Sequence, residues 1–309
     1  MVTLARKVLF HPLVKGLLSP FVRLLYYPSL NRLLRPFIRP LSYVLGDVMM
    51  AIPVIGRIEF TFLNKRAFYI ESDGYDIITN GLYWNGMFGY ESETIPHFLK
   101  IISRSRKIFD IGANTGLYAI MAAMENSTEM VYAFEPNPRV FRYLERNTEI
   151  NSLKNIKLEL SALSNYDGEI ELYVPSGMIP TSSSTLKGFR EASEILKVPS
   201  IKLDTYCKKK DIRDVDLLKI DTEGTEHLVI EGGIETIKRD QPIIICEVLP
   251  GLTERFIHEL LNPIGYEYYW LSDRGPIKKE TILGHSDKIS NYLFLTQRRI
   301  ETLHELEIL

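Results

Sequence analysis

Two short runs carry the residue types of a nucleoside-binding site. Phe109, Asp110, Ile111, Gly112, Ala113, Asn114, Thr115 and Gly116 read as a strand, a tight turn and a helix start. The acid sits at the strand tip, with glycines where backbone must approach a ligand closely. The spacing is D-x-G-x-x-x-G, neither the GxGxxG of a dinucleotide site nor a P-loop, since no Gly-Lys-Ser or Gly-Lys-Thr follows. A second apolar run ends at Phe134, Glu135 and Pro136, 25 residues after Asp110. A carboxylate there suits the two hydroxyls of a ribose. Two acids at neighbouring strand tips repel a pyrophosphate and favour a ligand bearing an ammonium and a sulfonium. S-adenosylmethionine has that charge pattern. The competing reading makes Asp110 a helix cap and Glu135 a solvated strand end.

A third charged cluster, Lys219, Asp221, Glu223, Glu226 and His227, follows the apolar run DLLKID and turns into a helix through TEGTEH. Charges this close perturb one another's pKa values, as a general base or a substrate clamp requires, and as a structural network also does. Glu223 and Glu226 also read as acids stabilised at a helix N-terminus, and His227 as a solvated helix residue.

The elements that must position these residues alternate. KIFDIG, MVYAFEP, IKLELSAL, DLLKID and PIIICEV are short apolar strands, separated by the helical stretches TGLYAIMAAM, PRVFRYLERN and TEHLVIEGGIETIKR. Such alternation calls for a mainly parallel, doubly wound sheet with helices on both faces, whose ligands lie at the carboxyl ends of the strands. Ser92 to Ser103 has helical character, and EYYWLS and NYLFLT read as a closing antiparallel pair. Ahead of them, IEFTFLNKRAFYIES alternates around Asn64 and Lys65 as a hairpin, followed by the aromatic, glycine-rich GLYWNGMFGYE.

FDIGANTG, AFEPNP, LDTY, KIDTEGTE and NYLFL, in this order, resemble the FkbM-type methyltransferases, a branch of the class I S-adenosylmethionine-dependent enzymes. The resemblance covers roughly residues 89 to 296. It implies a Rossmann-like seven-stranded sheet with the last strand antiparallel, and methyl transfer from S-adenosylmethionine to a hydroxyl. By position it implies that Asp110, Gly112, Ala113, Asn114 and Gly116 surround the methionine part of the cofactor, that Glu135 holds the ribose, and that Ser161 and Ala162 contact adenine.

Methyl transfer to oxygen is an in-line displacement, so positioning comes first, and a placed base supplies typically ~10²- to 10⁴-fold more. Asp221 is the first choice for that role, with Glu223, Glu226 and His227 as the other candidates. These carboxylates also suit magnesium, but one short segment without a distinctive ligand spacing favours a metal-free site. For the acceptor, Glu247 ends IIICEV on the same rim, and Ser183 lies in TSSSTLKGF, a hydroxyl-rich loop expected between a strand and a helical segment, or else an exposed flexible loop. Tyr83, Trp84, Phe88 and Tyr90 offer aromatic faces to a sugar or simply pack. Glu91 follows Tyr90 where family members often show the same pair. His285 reads as a surface loop residue that could approach the site from above.

The expected function is transfer of methyl to a hydroxyl of a saccharide, glycan or related secondary metabolite. The alternatives are a nicotinamide-dependent oxidoreductase on a similar sheet and a non-catalytic adaptor retaining the fold. The expected organisation is a basic helical extension over 1–56, a hairpin and aromatic lead-in over 57–90, the methyltransferase domain over 91–300 and a tail over 301–309.

Composition adds limits. With 309 residues, 45% hydrophobic and 25% charged, the chain is neither disordered nor fibrous. Its longest run without a charged residue, Leu172 to Leu186, is too short to span a bilayer. Cys207 and Cys246 build no disulfide framework, and the chain reads as a reduced, cytoplasmic protein with no nucleic-acid partner. The net charge of −2 conceals an asymmetry, since residues 1–46 hold seven bases and no acid, leaving −9 for the remainder. Pro12, Pro20, Pro28 and Pro36 recur every eight residues in this front, each suited to the first turn of a short helix. Apolar and basic turns of this kind fit an anionic membrane surface or a helical clasp.

Overall fold

The computed structural model describes residues 27–41, 49, 52–61, 67–86, 89–125, 127–177, 183–189, 191–272, 274–284 and 290–305. The chain forms two compact units, Met1–Ser92 and Glu93–Leu309.

In the first unit, α1 (Pro28–Ile38) precedes a hairpin of β1 (Ile55–Thr61) and β2 (Ala67–Asp73), and then α2 (Ile77–Asn85). Ile55 pairs with Asp73 and Thr61 with Ala67, so the two strands of the predicted hairpin form, while its expected turn at Asn64 and Lys65 lies outside the described residues. Pro28 occupies the first turn of α1, where its missing N–H costs no bond. Pro36 departs from the octad expectation, because it lies inside α1 and the helix continues past it. The repeats at Pro12 and Pro20 lie outside the described residues. At the start of α2 the Asp76 carboxylate accepts the Ile78 N–H at 2.9 Å. Tyr83 and Trp84 are buried and meet edge to face, and the guanidinium groups of Arg35 and Arg39 lie 4.7 and 4.9 Å from the Tyr83 ring. These rings pack within the unit and offer no open face to a sugar, so the packing reading holds for both.

The second unit opens with α3 (Ile95–Ile102), β3 (Lys107–Ile111), α4 (Leu117–Ala123), β4 (Met130–Phe134), α5 (Pro138–Ile150) and β5 (Ile156–Glu159). Then come β6 (Ala162–Leu163), β7 (Gly168–Val174), β8 (Glu194–Ile201), α6 (Leu203–Lys210), β9 (Leu217–Ile220), α7 (Glu226–Gly232) and α8 (Ile234–Asp240). It closes with β10 (Ile243–Val248), α9 (Glu254–Leu261), β11 (Glu267–Ser272), β12 (Gly275–Lys279), β13 (Ser290–Leu295) and α10 (Gln297–Glu305). The main sheet has the order β12-β11-β13-β10-β9-β3-β4-β5. β5, β4, β3, β9 and β10 run parallel, and β13 is antiparallel to both β10 and β11. This is the expected seven-stranded, Rossmann-like arrangement with an antiparallel last strand, extended by β12, an eighth strand hydrogen-bonded to β11.

The parallel strands are apolar on both faces because helices cover both. Phe109, Leu218, Ile220, Ile244 and Phe294 are fully buried, and Phe109 stacks on Tyr132 and Phe134 at 4.7 and 6.1 Å. Strand order reverses between β3 and β9, which places the crevice of an open α/β sheet at their carboxyl ends.

One stretch departs from expectation. The hydroxyl-rich loop is followed by a strand, β8, and no helix. β8 pairs antiparallel with β7 and parallel with β6 in a separate three-stranded sheet. Alternating burial along β7 and β8 is the signature that marks them as strands. The stretch read as one helix, TEHLVIEGGIETIKR, divides at Gly233 into α7 and α8. A Cβ on Gly232 would stand 2.0 Å from the Ser164 carbonyl oxygen, so glycine there lets the backbone after β6 pass against α7.

Candidate active site

The turn after β3 is shaped by the ends of both neighbouring strands. Gly112 and Ala113 donate their N–H groups to the Phe134 carbonyl at 3.0 and 2.9 Å, and the Asp221 N–H bonds the Ile111 carbonyl at 2.9 Å. Gly112 has φ +83°, and a Cβ there would lie 1.8 Å from the Asp221 carbonyl oxygen. The close approach that demands glycine is therefore to the protein's own β9 end. Asn114, at φ +50°, follows. Its N–H donates to Glu135 Oε2 at 3.0 Å while its side-chain oxygen accepts the Thr115 N–H at 2.8 Å.

Glu135 directly follows β4 and is 6% exposed. Its other oxygen accepts the Asn137 N–H at 2.8 Å. Burial pushes its carboxyl up to about 7 even though these two N–H groups favour the charged form, and the nearby Asp110 and Asp221 push it further. Each oxygen keeps acceptor capacity for a hydroxyl.

Strand register then sets a row of charged groups on one face of the sheet. Asp110 on β3 is in register with Lys219 on β9, and Lys219 is in register with Ile245 on β10. Since side chains alternate along a strand, Glu247 stands level with Asp221 and on the same face. Lys219 is 1% exposed, with its Nζ 3.2 Å from Asp221 Oδ2 and 4.9 Å from the centre of the Tyr118 ring. Burial pushes the Glu247 carboxyl up to about 9, with Asp221, Glu223 and Glu226 adding to the effect. Its Oε2 is buried without a hydrogen-bond partner among the described residues.

The segment 221–226 is folded around one carboxylate. Glu226 Oε1 accepts the N–H groups of Thr222 and Gly224 at 2.9 and 3.0 Å and the Thr222 hydroxyl at 3.2 Å. This clamp holds Glu223 in a left-handed conformation, φ +56°. Burial pushes Glu226 up to about 7. Across the opening, Ser184 pairs by backbone with Tyr173 of β7 and donates its hydroxyl to the Glu223 carbonyl at 2.6 Å. Asn137 Nδ2 donates to Ser183 Oγ at 3.2 Å.

The result is one cleft at the carboxyl ends of β3, β4, β5 and β9. Of the residues singled out from the sequence, Gly112, Asn114, Glu135, Ser161, Ala162, Ser183, Asp221 and Glu223 line it. Asp110, Ala113 and Gly116 support the turn from below, with Asp110 and Ala113 buried. Glu226 is displaced from the proposed chemistry, because it is fully buried and its Oε1 is taken by its own loop. His227 is also displaced. Its ring stacks on Phe256 of α9 at 4.9 Å, and burial pushes its pKa down. Glu247 lies behind the lining, and Tyr90 and Glu91 belong to the first unit. Phe88 and His285 lie outside the described residues.

The cleft also uses residues the sequence reading passed over, chiefly Leu172, Thr185, Thr222 and Thr225. Thr222 and Thr225 stood inside the quoted IDTEGTE run. Leu172 was legible only from the alternation of β7.

A family model for the methyltransferase FkbM domain matches residues 110–268. The chain belongs to the FkbM methyltransferase family. This supports a methyltransferase over the oxidoreductase and adaptor alternatives, and the methyl donor of FkbM-type methyltransferases is S-adenosylmethionine. Similar proteins include the hexuronic acid methyltransferase AglP of Haloferax volcanii, 26% identical over 56% of this chain and 68% of that protein. The 2-O-methyltransferase NoeI of Sinorhizobium fredii is 27% identical over 43% of this chain and 59% of its own length. The 31-O-demethyl-FK506 methyltransferase FkbM of Streptomyces tacrolimicus is 24% identical over 40% and 58%. The chain thus spans under three-fifths of the length of the last two. A crystal structure of methyltransferase FkbM from Methylobacillus flagellatus is similar at 15% identity and TM-score 0.39, over 62% of this chain and 44% of that one.

The residues fit the methyl donor on grounds of charge. Buried Glu135 keeps acceptor capacity for ribose hydroxyls, and the nearby Asp110 and Asp221 are acids that favour a cationic ligand over an anionic one.

Proposed function

We propose that the chain transfers a methyl group from S-adenosylmethionine to a hydroxyl of a saccharide or related natural product, with Asp221 as the base. The observation that carries this reading is the single cleft shared by Glu135, Asp221 and Ser183, which joins a cation-favouring end to a hydroxyl-rich rim. The names of AglP and NoeI, a hexuronic acid methyltransferase and a 2-O-methyltransferase, support an oxygen acceptor on a sugar.

Within this reading Glu135 accepts the ribose hydroxyls, while Asn114 and Asn137, by donating to it, hold its oxygens in place. Ser161 and Ala162 flank the adenine end. When bound, the cofactor supplies an electrophilic methyl carbon on a sulfonium. Asp221 takes the proton that the acceptor hydroxyl releases as the new C–O bond forms and the C–S bond breaks. Lys219, locked by burial and by the Tyr118 ring, fixes the direction of the Asp221 carboxylate. Ser183, Thr185 and Glu223 line the side from which the acceptor enters.

The test is labelled-methyl transfer to a panel of uronic acids, neutral hexoses and polyols, combined with calorimetry of cofactor binding. Asp221→Asn is expected to lower kcat by about 10²- to 10⁴-fold while weakening cofactor affinity far less. Equal losses in turnover and affinity, or unchanged turnover, would remove Asp221 from the base role.

A further inference from the structure

Helix α1 leaves part of its apolar side in water: Leu30, Leu34 and Ile38 are half-buried, but Leu33 and Phe37 are exposed. At about 100° per residue, Asn31 and Arg35 share one face of it, and Leu33 and Phe37 share the opposite one. A surface helix of a soluble protein turns its apolar face inward. Here Asn31 and Arg35 are 0% and 9% exposed, whereas Leu33 and Phe37 are 63% and 78% exposed.

The orientation is held by hydrogen bonds. Asn31 Nδ2 donates to the Pro53 carbonyl at 2.7 Å, and its Oδ1 accepts the Ile55 N–H at 3.2 Å. Arg35 Nη1 donates to the Ile55 carbonyl at 3.1 Å. Rolling the helix to hide Leu33 and Phe37 would break these bonds and leave buried polar groups unpaired, which costs more than exposing two apolar side chains. The outward face is therefore a fixed property of the first unit. Tyr27, at the N-cap, is 65% exposed as well. Arg32, exposed, stands between the apolar strip and the inward face, while the Arg39 guanidinium just past the helix lies over the Tyr83 ring.

We propose that this face of α1 docks on an anionic lipid surface. Leu33 and Phe37 enter the headgroup boundary, and Arg32 meets lipid phosphates. The charge pattern selects this occupant. Residues 1–46 carry seven bases and no acid, so a second copy placed against the same face would bring like charges together. An anionic bilayer is attracted to all of them. Among the described residues no helix is long and apolar enough to cross a membrane, so the helix lies in the plane of the interface. The proposal does not depend on which acceptor is methylated.

The test uses the full chain and co-sedimentation with vesicles of phosphatidylcholine alone or with about 30% phosphatidylglycerol. Binding to the anionic vesicles is expected to exceed binding to neutral ones by about tenfold or more, and to fall by a similar factor near 0.5 M salt. The double variant Leu33→Ser with Phe37→Ser is expected to lose about tenfold or more of the binding. Its unfolding curve should match the wild type, because both side chains already face water. Arg32→Glu is expected to weaken binding several-fold on anionic vesicles alone. Equal binding to both vesicle types overturns the proposal. So does a double variant that binds like wild type, which would move the contact elsewhere in the chain. So does a wild-type protein that self-associates and becomes monomeric in the double variant, which would assign the face to a second copy.

Discussion

Replacing Glu247 by Gln offers the sharpest check on the buried acid row. Gln has the shape of a protonated Glu and never ionises, so Asp221, Glu223 and Glu226 meet the same neutral neighbour in both proteins. The native carboxyl titrates at about 9 against an ordinary value of 4.5, with burial the leading cause. The native state thus keeps its proton through the range in which the unfolded chain has released it. Stability from this group is fully present below pH 4.5 and is lost progressively as pH rises towards 9, at about 1.4 kcal/mol per unit. Between pH 5 and pH 8 the variant should therefore gain about 4 kcal/mol on the wild type, a large part of a typical domain's stability of about 5–15 kcal/mol. Urea unfolding of the two proteins at matched pH values reads the difference directly. A gap that stays within about 0.5 kcal/mol over that range would mean that Glu247 ionises at an ordinary pH in the native state, and the buried row would be wrongly drawn.

Three further outcomes follow from the site. Binding of cationic S-adenosylmethionine beside Glu135, which titrates at about 7, should release a fraction of a proton at neutral pH, seen calorimetrically as a binding enthalpy that varies with buffer ionisation enthalpy. A buffer-independent enthalpy would show that the ligand leaves Glu135 untouched. Gly112→Ala combines a left-handed φ with a clash against the Asp221 carbonyl, so a loss of at least about 3 kcal/mol in chemical denaturation is expected, and a near-neutral result would contradict the turn geometry. Glu226→Ala strips the N–H groups of Thr222 and Gly224 of their acceptor and should cost about 2 kcal/mol or more, while lowering turnover through the loosened Glu223 loop. Full turnover in that variant would show that the loop needs no clamp.

Much of the catalytic unit is legible in the chain because its signals are local. The apolar runs ending at Ile111, Phe134, Ile220 and Val248 are strands buried on both faces, and each ends in chemistry-bearing residues. D-x-G-x-x-x-G and Glu135 could be read as one cleft because successive parallel strands in such a sheet lie side by side. Glycine at 112 was legible as a tight turn, but its cause was not, since the carbonyl that excludes a Cβ belongs to Asp221, 109 residues away.

Tertiary structure decided the rest, wherever pairing partners are remote or where one side chain has two possible partners. Spacing placed Glu226 and His227 beside Asp221, but spacing does not say which face of a seven-residue helix is buried. The fold turned Glu226 into its own loop and stacked His227 on Phe256. The hairpin of β7 and β8 carries Leu172, and Ser184 pairs with Tyr173 of β7 beside Ser183 and Thr185 at the cleft, so three cleft residues depend on a backbone pairing that no single window of sequence contains. Likewise the amphipathic pattern of α1 is plain in its residues. Only the hydrogen bonds of Asn31 and Arg35 to the chain at Pro53 and Ile55 determine that Leu33 and Phe37 face outward.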